Sequence, residues 1–273
     1  MKEVILNNGT KIPSIGVGVF RVEDANIAYE TVKTALSVGY RHVDTAMIYG
    51  NEEAVGKAIR DSGIPREEIF LTTKLWNDDQ RSGKVEEAIE ASLKRLGMDY
   101  VNLYLVHWPV KETYVSVWKK MEAVYKSGKA KAIGVSNYQT HHLADLLEEA
   151  EIIPAVNQIE CYPYLSQAAT IQYCLERNIR PEAWGPLGAG KSDILTNPVI
   201  TEIAKKRGLT PAQVVLGRNL ERGVIVIPKS IHKERLTENL KCTDFELTDE
   251  DMTRISALNK NLRLGADPDH FNF

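Results

Sequence analysis

Apolar runs of strand length alternate with amphipathic helical stretches eight times along this chain, and few folds accept that pattern. The runs are IGVGV (15–19), RHVDTA (41–46), IFLTTKL (69–75), VNLYLVHW (101–108), AKAIGVS (130–136), AVNQIE (155–160), IRPEAW (179–184) and GVIVIP (223–228). Helical spacing covers 24–38, 52–61, 84–96, 114–127, 140–150, 168–177, 210–221, 233–241 and 248–259. In KVEEAIEASLKRL, for example, Val85, Ile89, Ser92, Leu93 and Leu96 share one face and Gly97 ends the helix. Eight strand–helix units in about 260 residues match the size of an α/β (β/α)8 barrel. A doubly wound open sheet is the rival, but GVGVFR after the first strand has Gly16 and Gly18 and lacks the third glycine of a dinucleotide turn. The opening VILNNGTKIPSIG predicts a hairpin turning at Asn8-Gly9. An extra helix starts at Thr248, an N-cap with Asp251 three residues on, and the tail LRLGADPDHFNF follows. That tail either hangs free or folds back over a pocket. No linker or low-complexity tract splits the chain, so residues 1–273 are read as one barrel domain.

The net charge of −3 gives no support for a nucleic-acid or anionic-membrane partner. No apolar run approaches the ~18 residues of a membrane span, and MKEVILNNGTK lacks the apolar stretch of an export signal. Cys161, Cys174 and Cys242 are odd in number and without CxxC spacing. They are expected as buried free thiols in a reducing, cytoplasmic compartment.

Three consecutive runs end in groups that a buried strand does not ordinarily carry. RHVD ends in Asp44 with Tyr49 in the next turn, IFLTTK ends in Lys74, and VNLYLVH ends in His107. Burying an acid, a lysine and a histidine is costly unless they meet. In a parallel barrel the strand ends do meet, on the face that carries chemistry. A lysine beside a tyrosine favours the phenolate and eases proton donation, an acid paired to the lysine holds its charge, and a neutral histidine orients a carbonyl oxygen. That set suits protonation of an oxygen on which charge develops, as in carbonyl reduction, with the hydride supplied by a cofactor. The six histidines, His42, His107, His141, His142, His232 and His270, form no HExxH or similar ligand set, so no metal is expected. His141 and His142 are expected to open a helix and face solvent.

Residues 185–192, GPLGAGKS, satisfy G-x-x-x-x-G-K-[ST]. A triphosphate-binding loop needs a helix to start at the Lys-Ser, and here Pro198 arrives within two turns. ATP or GTP hydrolysis is therefore rejected, while contact of the same backbone with the phosphates of another cofactor is kept.

Along essentially its whole length the chain resembles the aldo-keto reductases. GYRHVDTAMIYGNEEAVGKAI, TTKLWND, YLVHWP, GVSNY, NQIECYPY, AWGPLG and IPKSIHKERLTEN follow the family's segments in order. The short bacterial members that reduce 2,5-diketo-gluconate, methylglyoxal and related carbonyls are the most similar subgroup, and RLGADPDHF resembles their tail. The resemblance implies Tyr49 as proton donor, aided by Lys74 and Asp44, with His107 positioning the substrate carbonyl. It implies that Ser136, Asn137 and Gln158 hold the nicotinamide carboxamide and that Trp184 stacks on its ring. Gly18, Val19, Phe20 and Asp44 would line the cofactor, and Gly185, Pro186, Leu187 and Gly188 would follow the pyrophosphate. Lys229, Ser230 and Arg235 would hold an adenosine 2′-phosphate, with Glu238 and Asn239 near the adenine. Two cations suit a phosphate dianion, which favours NADPH over NADH. Phe20, Trp76 and Trp108, with Tyr49 and His107, would ring a pocket for small or flat carbonyls. The short loop after VHWP predicts a tolerant pocket.

The chain departs from the family in places. Gly185 stands where relatives often carry Ser, removing a hydroxyl from the cofactor side. Gly217-Arg218 replaces the usual Arg-Trp, which predicts a weakened packing position and a looser helix. The expected enzyme is a monomer acting on small molecules. Two other readings stay open: a cofactor-binding regulatory subunit with slow turnover, and a barrel lyase or isomerase using Lys74 as a Schiff base.

Overall fold

The computed structural model describes residues 2–273. Eight parallel strands form one curled sheet: β3 (Val17–Gly18), β4 (His42–Asp44), β5 (Phe70–Leu75), β6 (Leu103–Val106), β7 (Ile133–Ser136), β8 (Val156–Glu160), β9 (Arg180–Trp184) and β10 (Ile225–Val226). Each pairs with its neighbour in chain order. A parallel bridge between Ile15 and Val226 joins the two edges, with Gly16 N donating to Val226 O at 2.9 Å. The sheet is thus the (β/α)8 barrel expected. The hairpin β1 (Glu3–Ile5) and β2 (Lys11–Pro13) turns where Gly9 has φ +85°. It caps the barrel floor, where Asn8 Nδ2 reaches Lys131 O at 2.8 Å and Asn7 Nδ2 reaches Pro154 O at 3.0 Å.

Side chains alternate along a strand, so each barrel strand splits into two sets. Val43, Leu71, Tyr104, Val135 and Ile159 belong to the layer packed under the helices. Phe70, Leu103, Leu105, Ala132, Val156 and Ile225 fill the interior with Leu6 and Ile12 of the hairpin. The same alternation carries His42–Asp44, Phe70–Thr72–Lys74, Leu103–Leu105–His107 and Val156–Gln158–Glu160 up the inside. The interior is apolar at the floor and polar at the carboxyl ends.

The helices are α1 (Ala25–Ser37), α2 (Glu52–Arg60), α3 (Asn77–Ser82), α4 (Val85–Leu96), α5 (Tyr114–Lys126), α6 (Thr140–Glu149), α7 (Ala168–Glu176), α8 (Pro198–Arg207), α9 (Pro211–Glu221), α10 (Lys233–Leu240) and α11 (Asp249–Ser256). Two of them, α3 and α8, were not expected. Pro198 was read as a breaker, yet it occupies the first turn of α8 behind Asn197, whose side chain accepts from Val199 N. Proline fits there because its missing N–H would be unpaired anyway. Thr248 caps α11 as expected. The three cysteines are free and buried.

Gly217 does not loosen α9. A Cβ at that position would meet the Phe245 ring at 2.8 Å, so the glycine makes room for a packed aromatic. Beside it Arg218 is 1% exposed, with Asn219 Oδ1 at 3.4 Å and an unpartnered Nε. No helix among the described residues is long and apolar enough to cross a membrane.

Candidate active site

The polar ends of β4, β5 and β6 converge as their alternation requires. Lys74, fully buried, places Nζ 2.6 Å from Asp44 Oδ1 and donates to Thr45 O at 2.9 Å. Its third neighbour is the Tyr49 hydroxyl at 3.4 Å. Tyr49 is held on a short 3-10 turn, Met47–Tyr49, half-buried at the lip. Asn51 fastens that turn, accepting from Thr45 Oγ1 at 2.7 Å and donating to Val19 O and Val22 O. His107 stands opposite, its ring 5.8 Å from Tyr49 and 5.2 Å from Trp76. The four residues expected to meet are therefore together.

Charge in this cluster follows burial. Burial opposes the Lys74 ammonium, but Asp44, Tyr49 and Glu182 outweigh it and hold its pKa above the ordinary lysine value. Burial and then Lys74 push His107 well below the usual imidazole range, so its ring is neutral. Tyr49 differs from expectation. Lys74 lowers its pKa as anticipated, yet burial raises it more, and the net is an upward shift. The phenol is thus held in its protonated form, beside a lysine that favours the phenolate.

The second half of the mouth comes from β7 to β9. Ser136 Oγ donates to Gln158 O at 2.9 Å. Asn137, at φ +65°, donates to His107 O at 3.0 Å and to Ser136 Oγ, and accepts from Trp184 Nε1 at 2.8 Å. Gln158 donates to Asp44 Oδ2 at 2.8 Å and to Glu182 Oε1 at 2.9 Å. Glu182 was missed by sequence reasoning. In IRPEAW it stands two residues before Trp184, and period-two alternation alone would have put it inside the barrel.

Beyond β9, Gly185 (φ +57°), Gly188 (φ +77°) and Ala189 (φ +51°) form a left-handed run that a serine at 185 would enter only under strain. No helix starts at Lys191-Ser192; α8 begins at Pro198. The rejection of a triphosphate loop agrees with this backbone. Gly18 approaches Ile227 O so closely that a Cβ would lie 3.0 Å from it, and Val19 beside it is buried. Lys229 and Arg235 are exposed on either side of the start of α10 and pair with no carboxylate among the described residues. Ser230 accepts from His232 N at 3.1 Å, and Glu238 accepts from Thr210 Oγ1 at 2.7 Å beside buried Asn239.

The tail folds back over the mouth. Phe273 stacks on Trp76 with centroids 5.8 Å apart, and Phe271 and Phe273 each lie 5.2 Å from Trp108. Asn77 and Arg81 of α3 hold the Phe273 carbonyl at 3.0 and 2.7 Å. Glu160 accepts from Leu264 N at 2.8 Å and Gly265 N at 3.0 Å. Gly265 passes so near Trp184 that a Cβ would sit 2.4 Å from the indole. Phe20, 53% exposed with its ring 5.0 Å from Tyr49, forms the rim rather than an inner wall.

Asp269 of the tail also meets α6, with Oδ1 2.9 Å from His141 Nε2 and 3.4 Å from His142 Nε2. His142 does not face solvent; it is buried, and its Nδ1 accepts from Gln139 N at 3.2 Å. That bond makes Nδ1 the acceptor and leaves the ring proton on Nε2, which faces Asp269.

A model of the Aldo/keto reductase family matches residues 14–260. The chain is 50% identical over 270 residues to glyoxal reductase of Bacillus subtilis, covering 99% of this chain and 97% of that one. It is 43% identical over 268 residues to methylglyoxal reductase DkgA of Salmonella typhimurium, covering 97% and 96%. The crystal structure of MGS-M4, an aldo-keto reductase enzyme from a Medee basin deep-sea metagenome library, superposes with a TM-score of 0.96 at 47% identity, covering 99% of this chain and 100% of that one. With a barrel mouth built of these groups and a family model spanning most of its length, the chain belongs to the aldo/keto reductase family, oxidoreductases that use nicotinamide cofactors.

Proposed function

We propose that this chain reduces small aldehydes and ketones, α-dicarbonyls and keto-sugars among them, to alcohols with NADPH. The observation that carries the reading is the Tyr49 hydroxyl, 3.4 Å from a lysine whose charge Asp44 holds at 2.6 Å, beside a neutral histidine. His107 offers its one N–H to the carbonyl oxygen. As negative charge grows on that oxygen, Tyr49 gives up its phenolic proton and Lys74 supports the phenolate left behind. Asp44 keeps Lys74 charged and in place. A nicotinamide held by residues at the ends of β7 to β9 would supply the hydride.

The residues fit such a cofactor. Ser136, Asn137 and Gln158 offer an amide-binding edge, and Trp184 a face for the ring. Gly18, Val19 and Phe20 would line the opposite side, and Gly185, Pro186, Leu187 and Gly188 would lie along the pyrophosphate. Lys229, Ser230 and Arg235 suit a 2′-phosphate, supported by the two cations having no carboxylate partner among the described residues. Glu238 and Asn239 would stand near the adenine. Phe20, Trp76, Trp108 and the tail phenylalanines suit flat or small substrates, as the names of the glyoxal and methylglyoxal reductases suggest. The test is nicotinamide oxidation with glyoxal, methylglyoxal and a bulky steroid ketone, each with NADPH and NADH. Turnover of the dicarbonyls with NADPH is expected, and a sharp preference for the steroid contradicts the pocket reading.

A further inference from the structure

Gln158 lies between two acids. Its Nε2 is 2.8 Å from Asp44 Oδ2 and 2.9 Å from Glu182 Oε1. An amide nitrogen carries two hydrogens, so both are spent. The amide oxygen is thereby turned away from the two acids, with only its acceptor capacity left. A primary amide whose neighbours did not discriminate could sit either way round, because its two ends are nearly equal in size.

The Glu182 side chain makes no other hydrogen bond among the described residues. It is fully buried inside the barrel, and its Oε2 has no hydrogen-bond partner among the described residues. As packing alone, an apolar side chain would serve better there. The charge of Asp44 is already matched by Lys74, so Glu182 is not needed to complete an ion pair.

The geometry points to Glu182 as a positioning residue: through Gln158 it fixes which end of the amide the barrel turns toward the nicotinamide carboxamide, and so sets affinity for the cofactor. This rests on the reading of Gln158 given above. Burial first, then the Asp44 carboxylate, push the Glu182 carboxyl up to about 8, against the opposing pull of Gln158 and Lys74.

The test is the Kd for NADPH, measured by fluorescence titration of the full chain, with kcat alongside. Glu182→Gln keeps an acceptor oxygen and is expected to stay within about threefold of the parent. Glu182→Leu removes it and is expected to raise Kd roughly threefold to tenfold, with kcat within about twofold. Glu182→Met serves as a second apolar variant in case Leu does not fold. In a Gln158→Leu background, Glu182→Leu is expected to add nothing, because the two act through one contact. Apolar variants with parental Kd, while Gln158→Leu alone weakens binding, overturn the role of Glu182 and leave Gln158 standing. Equal losses in Glu182→Gln and Glu182→Leu also overturn it. A parental Kd in Gln158→Leu overturns the reading of Gln158, and this one with it.

Discussion

Lys74→Met removes one partner of a fully buried ion pair, and its cost can be worked out from the contacts. Asp44 is 2% exposed and loses the 2.6 Å contact to Lys74 Nζ. Among the described residues only Gln158 Nε2 remains to it from a side chain, at 2.8 Å. Stranding a buried charge in this way costs about 3–5 kcal/mol. A chain of 273 residues has an unfolding entropy of about 0.6 kcal/mol/K at its midpoint. The midpoint is thus expected to fall by roughly 5–8 °C. Adding Asp44→Asn removes the stranded charge, so the double variant is expected to recover at least about half of the loss. Thermal unfolding of the parent, both single variants and the double variant checks this. A double variant that loses the sum of the two single losses refutes the ion-pair argument.

Arg218→Met is expected to raise stability by about 1–3 kcal/mol in denaturant unfolding, because it removes a buried guanidinium whose Nε has no partner and whose pKa burial lowers to about 10. Lys229→Ala combined with Arg235→Ala is expected to raise the KM for NADPH by roughly tenfold to a hundredfold and leave that for NADH within about twofold; equal effects on both cofactors contradict the 2′-phosphate assignment. Glu182 also predicts a pH slope in stability. Its folded pKa, about 8, lies above the ordinary 4.5. The folded chain therefore holds a proton the unfolded chain has lost, and stability falls as pH rises through that window. Glu182→Gln is expected to flatten that slope and to melt higher than the parent near pH 8, as scanning calorimetry would show.

Strand alternation made most of the barrel legible in the sequence. Apolar runs of fixed length, each followed by a helix, leave little choice of architecture, and Asp44, Lys74 and His107 were conspicuous because they end such runs. Helix α8 was missed because Pro198 was weighed as a breaker when its place in the first turn makes it a starter. Gly217 was misjudged for a different reason. A helical glycine is costly by propensity, but its benefit is tertiary, and Phe245 lies 28 residues further along the chain. The closing of the tail depends on pairs such as Trp76–Phe273 and Glu160–Leu264, whose spacing along the chain has no period to read. Tyr49 shows how two opposing effects cannot be ranked from residue types. A neighbouring lysine and burial act in opposite directions, and only the packing decides that burial wins.

The most direct test of the account compares the parent with Tyr49→Phe. Turnover of methylglyoxal with NADPH and the Kd for NADPH would be measured on both proteins. Loss of the phenolic proton is expected to lower kcat by roughly a hundredfold to ten-thousandfold. NADPH affinity is expected to stay within about threefold, since one hydroxyl beside Lys74 is all that changes. Turnover that survives in Tyr49→Phe, with cofactor binding intact, would contradict the central claim that this phenol is the proton donor.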